Sequence, residues 1–140
     1  MGMVYRTREG PCGVAADTWY LLATLGSDTT PGPLLVPGGK SKIKQVIVSF
    51  GNSTQTAAEF GYTYLVKLDG PGLTDGEQSF SPGSWCSPFT TAGEVGAPIG
   101  PLRFDVDINV KSGGQINIYG AVSAGVTNGT PEMGVTLGFA

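Results

Sequence analysis

Two carboxylates, Asp105 and Asp107, stand two residues apart in an alternating run from Leu102 to Lys111. In extended chain such residues share a face, on the order of 7 Å apart. That separation lies in the range of the paired carboxylates that hydrolyse glycosides, one acting as acid and one as base. The same two residues, with Arg103 and Lys111 beside them, also make the wet face of an amphipathic strand, and that is the expected role. The segment Asp69-Gly70-Pro71-Gly72-Leu73-Thr74-Asp75-Gly76-Glu77 gathers carboxylates and turn residues as a calcium loop would. It lacks the ligand spacing of an EF-hand, and Asp-Gly pairs also simply make turns. The chain has no histidine, which removes the commonest general base and metal ligand. No nucleophile elbow, phosphate loop or dinucleotide fingerprint occurs. The expectation is a protein without a catalytic residue, a cofactor or a metal, and not an enzyme.

The 2 cysteines, Cys12 and Cys86, sit among glycine, proline and serine. A bridge between them would close a long loop, worth up to ~4 kcal/mol by chain entropy; two free thiols are the alternative. Trp19, Tyr20, Tyr62, Tyr64, Trp85 and Phe89 could stack on sugars, but aromatics on strands usually fill the core. Trp85 and Phe89 lie in the stretch from Ser81 to Pro101, which holds 4 prolines and reads as one long connection. Long connections in compact domains tend to be functional, and aromatics are favoured interface anchors, so these two are the interface candidates. Asn52-Ser53-Thr54 and Asn128-Gly129-Thr130 match the glycosylation acceptor pattern.

The elements that hold these residues read as strands throughout. No helix-period segment of ten or more residues is present; short apolar or alternating runs recur between turn residues. In Leu102–Lys111 the residues Leu102, Phe104, Val106, Ile108 and Val110 are apolar and their neighbours polar, which predicts one core face and one wet face. A partner run carries Ile116, Ile118 and Val122. If these two form a hairpin, a three-residue loop Ser112–Gly114 sets Val110 against Ile116 and keeps apolar groups on one face; the same loop could instead carry the chain to a second sheet. Further strands are expected over Thr18–Leu25, with Trp19, Leu21, Ala23 and Leu25 on one face, and over Lys42–Phe50, buried on both faces near Val46-Ile47-Val48. Others are expected over Phe60–Leu68 and Val135–Phe139, with shorter ones at Val4–Thr7, Leu34–Val36 and Gln78–Phe80. Eight or nine strands in one domain of 140 residues predict an all-β antiparallel sandwich, a jelly roll if the last strand pairs with an early one.

Composition narrows the role. Charged residues are 14 % of the chain, far below the usual quarter, while hydrophobic content is 40 %, so disorder is not expected. Low charge is a poor way to keep a monomer in solution and suits a surface covered by other subunits. Residues 1–44 carry five basic and three acidic side chains, and residues 45–140 carry three and eight, which sum to the net charge of −3. No stretch is polybasic, so direct binding of nucleic acid is not expected; Lys40, Lys42 and Lys44 read as a solvated strand start. No run reaches the ~18 apolar residues of a membrane helix, and neither a secretory signal nor a myristoylation signal is read.

From Thr18 to Ala140, through its strand count, Gly/Pro-rich loops, low charge and the runs Lys42–Phe50, Phe60–Leu68 and Leu102–Val122, the chain resembles single jelly-roll capsid subunits of icosahedral viruses, or small capsid-decorating proteins. The resemblance implies a virion structural protein that packs side to side with copies of itself or other capsid subunits. The basic N-terminal arm of many such proteins is missing, which removes the implied genome contact. Two other readings stand beside it: a trimeric binding domain of the tumour-necrosis-factor or C1q type, and a carbohydrate-binding sandwich module.

Overall fold

A computed structural model describes residues 2–12, 15–22, 33–52, 59–87, 99–125 and 131–140. Nine strands are present among them: β1 (Val4–Pro11), β2 (Tyr20–Leu21), β3 (Leu34–Leu35), β4 (Lys42–Asn52), β5 (Glu59–Asp69), β6 (Gln78–Ser87), β7 (Ile99–Asn109), β8 (Gln115–Val122) and β9 (Pro131–Phe139). They form two antiparallel sheets. One runs β1-β9-β4-β7; the other runs β2-β8-β5-β6, with β3 also pairing with β8. Apart from β5 and β6, the strands adjacent within each sheet are distant in sequence, and the chain alternates between sheets from β6 to β9. This is the strand order of a jelly roll, with the last strand seated between the first and the fourth.

The periodicity of the sequence makes the core. On β4, Ile43, Val46, Val48 and Phe50 point inward, and on β9 Met133, Val135, Leu137 and Phe139 do, each at most 3 % exposed. They meet Tyr64, Val66 and Leu68 of β5 and Ile116, Ile118 and Val122 of β8. Inward positions on β4 are three apart between Ile43 and Val46 because a bulge at Lys44 interrupts the pairing with both neighbouring strands. The bulge turns Lys44 and Gln45 to the outer face without losing the apolar phase. Ile47 accordingly stays half-exposed on that outer face, level with Thr136 and Arg103, so β4 is not buried on both faces.

One open expectation is decided and two more are corrected. β7 and β8 lie in different sheets, so the loop at Ser112–Gly114 carries the chain across and closes no hairpin. Their connection is held by other partners: Lys111 N–H donates to Gly72 O at 2.8 Å, Gly113 N–H to Val36 O at 3.0 Å, and Val36 N–H to Gly114 O at 2.9 Å. Leu22, at 1 % exposure, faces the core in place of Trp19 and Leu21, because Trp19 lies on the outer face against Lys67. The stretch from Ser81 to Pro101 is strand at both ends, since β6 reaches Ser87 and β7 starts at Ile99, and residues 88–98 lie outside the described residues. Pro82 and Pro101 are compatible with this because each falls in a register shift of an edge strand, where no ladder pairing is made.

Candidate functional site

The outer faces hold the ionisable groups. Asp107 Oδ1 accepts from Lys44 Nζ at 2.8 Å and from Lys42 Nζ at 3.0 Å. These hydrogen bonds, that from Lys44 first, hold the Asp107 carboxyl below its ordinary range. Asp107 is thus an ion-pair partner across β4 and β7, not half of an acid–base pair with Asp105. All three groups are well exposed, so the triad adds little stability.

The acidic segment 69–77 is a lock. Asp75 Oδ2 accepts the Asn109 N–H at 2.8 Å and Asp75 Oδ1 its side-chain amide at 3.2 Å; these bonds, the backbone one first, lower the Asp75 carboxyl. Asp69 accepts from Asn117 at 3.1 Å, and Glu77 stands 4.0 Å from Lys67. Each carboxylate therefore faces a different protein donor, and they do not converge. Among the described residues no group of three or more carboxylates and thiols is clustered.

The aromatics divide. Tyr64 is wholly buried, its ring centroid 4.4 Å from that of Phe50. Trp19 and Tyr119 lie on the outer face with Lys67 Nζ between them, 4.9 and 4.6 Å from the ring centroids. One face of each ring therefore holds a cation. Burial, then the charge of Asp69, raises the Tyr119 hydroxyl. Trp85 is placed in β6, opposite Tyr62 in the ladder; Phe89 lies outside the described residues, as does Asn128. Asn52 is 1 % exposed and is no acceptor for a glycan in the folded state.

Cys12 is free and buried, packed beside Gly120 and near Met133. Gly120 pairs with Val66, whereas Cys86 pairs with Phe60. Six residues along β5 are on the order of 20 Å, too far for a disulfide, so the bridge with Cys86 is not formed in this fold. Burial first, and Glu132 second, pushes the Cys12 thiol up from 9.0 to about 12. The thiol is neutral in both states below about pH 7.5; as pH rises through 9.0 the unfolded chain ionises first, and stability is lost as pH rises toward 12. The full difference is about 4 kcal/mol. Wild-type protein is expected to lose stability faster than Cys12→Ala between pH 9 and 10.5 in urea titrations; parallel curves would contradict the buried thiol.

The two open sides of the sandwich differ. On one, Arg6 and Arg8 of β1 pair with Leu137 and Val135, whose side chains enter the core, so the arginines lie on the inward face. Arg8 Nη2 reaches across to Pro33 O, beside β3, at 3.1 Å. Inward charges of this kind guard an edge. On the other side the corresponding residues of β7 are Leu102, Phe104 and Val106. There Val46, Phe80, Phe104, Asp105 and Val106 line a slot of about 220 Å³, and Phe104 is 37 % exposed. The alternation of Leu102–Val110 reads as a full core face, yet only Ile108 and Val110 are fully covered, at 6 % each, while Leu102 and Val106 are partly buried against the core and Phe104 is exposed. Nothing in the alternation itself marks this gradation; their position on an edge strand decides it.

No family model and no curated protein matches the chain. Solved structures to which it is similar include that of the infectious bursal disease virus Gx strain, at 13 % identity and a TM-score of 0.37, covering 98 % of this chain and 32 % of that one. Dimeric latent PorU from Porphyromonas gingivalis follows at 12 % identity and a TM-score of 0.43, covering 99 % and 13 %. A mutant VP2 protein of infectious bursal disease virus matches at 14 % and 0.38, covering 96 % and 31 %. These are weak architectural likenesses to small parts of longer chains. No helix among the described residues is long and apolar enough to cross a membrane.

Proposed function

We propose that this chain is a non-catalytic structural subunit of a virion, a capsid or decoration protein that packs side to side with copies of itself or other capsid subunits. The observation that carries this reading is the apolar slot on one side of a sandwich whose opposite side is guarded by arginines. A chain with 14 % charged residues and no histidine is suited to burying its flanks against neighbours, and its dispersed carboxylates offer no paired acid and base. Light scattering and electron micrographs of the purified protein test it. A closed particle or a defined higher oligomer is expected, and a monomer at high concentration would overturn the reading. Trp85→Ala and Phe89→Ala are expected to weaken association more than they lower the melting temperature; a fall of several degrees with unchanged association would return both to the core.

A further inference from the structure

We propose that β7 is the edge by which two copies join, each pairing antiparallel with the other's β7 about a two-fold axis at Phe104; this deepens the assembly reading above and rests on it. β7 bonds to β4 on one side and ends its sheet on the other. At the Asn109 end that open side is already taken: Asn109 N–H donates to Asp75 at 2.8 Å, and its carbonyl accepts from Thr74 N–H at 3.1 Å. The regular part lies further along. Leu102 to Asp105 pair one for one with Val48 to Gln45, between register shifts at either end. The inward residues here, Leu102, Phe104 and Val106, are apolar, in contrast to the inward arginines that guard β1.

This short stretch is complementary to itself. Residues directly opposite in an antiparallel ladder share a face and stand close enough to interact. A two-fold axis at Phe104 sets Arg103 opposite Asp105 of the second copy, and Asp105 opposite its Arg103, on the outer face. Both side chains are exposed, and neither makes an ion pair among the described residues. On the inner face Phe104 meets its own counterpart and Leu102 lies toward Val106. The apolar groups that the sheet's edge leaves exposed or half-covered thus gain apolar neighbours. Other registers fail. An axis at Arg103 opposes two arginines and one at Asp105 opposes two aspartates, and like charges directly opposite are destabilising. A slip of one residue sets Arg103 against Phe104 and reverses the faces of one sandwich. Charge and polarity therefore select one register. The contact is isologous and joins the two four-stranded sheets into one. The resulting dimer is the unit from which a larger assembly grows through its other surfaces.

The experiment uses the whole chain with Arg103→Asp, with Asp105→Arg and with both changes, compared with wild type by sedimentation velocity. Both positions are exposed, so each variant is expected to fold, and thermal melts check this. Either single change sets like charges opposite twice in each dimer and is expected to weaken it tenfold or more. An equimolar mixture of the two single variants opposes unlike charges at both places and is expected to restore a 1:1 dimer. The double variant, with its charges exchanged, is expected to dimerise as wild type does. Wild-type association with both single variants unchanged, or weakened singles that neither mixing nor exchange restores, would overturn the β7 pairing and leave the assembly reading standing. A wild type that stays monomeric at high concentration overturns both.

Discussion

Gly72→Ala is expected to lower stability by about 3 kcal/mol, the upper range for forcing extra volume into a packed site. For a chain of this size that is a fall of roughly 10 °C in melting temperature. A Cβ on Gly72 would stand 2.8 Å from Gln115 O and 2.9 Å from Gly114 C. These are backbone atoms, with no side chain to swing aside. The contact is tight because the β5–β6 connection is sewn to the β7–β8 connection. Gly72 N–H donates to Gln115 O at 2.8 Å, its carbonyl accepts from Lys111, and Thr74 N–H reaches Asn109 O at 3.1 Å. Leu73 bridges to Val110 beneath them. Gly38→Ala is the control: its Cβ meets nothing within 4 Å, and the change is expected to be neutral or slightly stabilising. Equal melting temperatures for the two variants would show that the lock is not tight.

Tyr64→Ala is expected to cost about 4 kcal/mol, as for other large buried aromatics. Tyr64 is 0 % exposed on β5 and packs on Phe50 of β4, so it joins the two sheets. Its hydroxyl donates to Gly51 O, which puts a polar tip inside the sandwich with its partner supplied. Tyr64→Phe removes that donor and keeps the ring, and about 1–2 kcal/mol is expected. Urea denaturation of both variants separates the two contributions. A Phe variant as damaged as the Ala variant would mean that the hydrogen bond, not the ring packing, dominates.

Much of this fold is legible in the sequence, for physical reasons. Alternation on Val135, Leu137 and Phe139 marks a strand with one core face, and the structure seats it centrally. The runs at Lys42–Phe50 and Phe60–Leu68 lie where β4 and β5 form. What was hidden depends on neighbours. Pro82 and Pro101 read as breakers because a proline costs a ladder bond, yet each falls at a register shift of an edge strand where no pairing is made. Ser112–Gly114 is short enough for a hairpin or a crossing between sheets, and Val36 and Gly72 decide by taking its backbone groups. Trp19 has the periodicity of a core residue but finds Lys67 outside.

The candidate site was less visible. Trp85 and Phe89 stand out by residue type, while the slot is built from Phe80, Phe104 and Val106, which sit in ordinary strand patterns. Arg6 and Arg8 carry a readable signal, since charges repeat at positions two apart in a short strand. Only their pairing with Val135 and Leu137 shows that they point inward.

The place of β9 also governs how the chain folds. Among the described residues β1 pairs in its sheet with β9 alone, Val4 opposite Phe139, and β4 and β9 share a long ladder. A nascent chain therefore holds β1 without its hydrogen-bonding partner until residues 131–139 have been made. At ribosomal speed that wait is on the order of ten seconds. The ladder of β5 and β6 closes locally and needs no such delay. Pairings of such long sequence separation form slowly, so the β1-β9-β4-β7 sheet is expected to close after the ladder of β5 and β6.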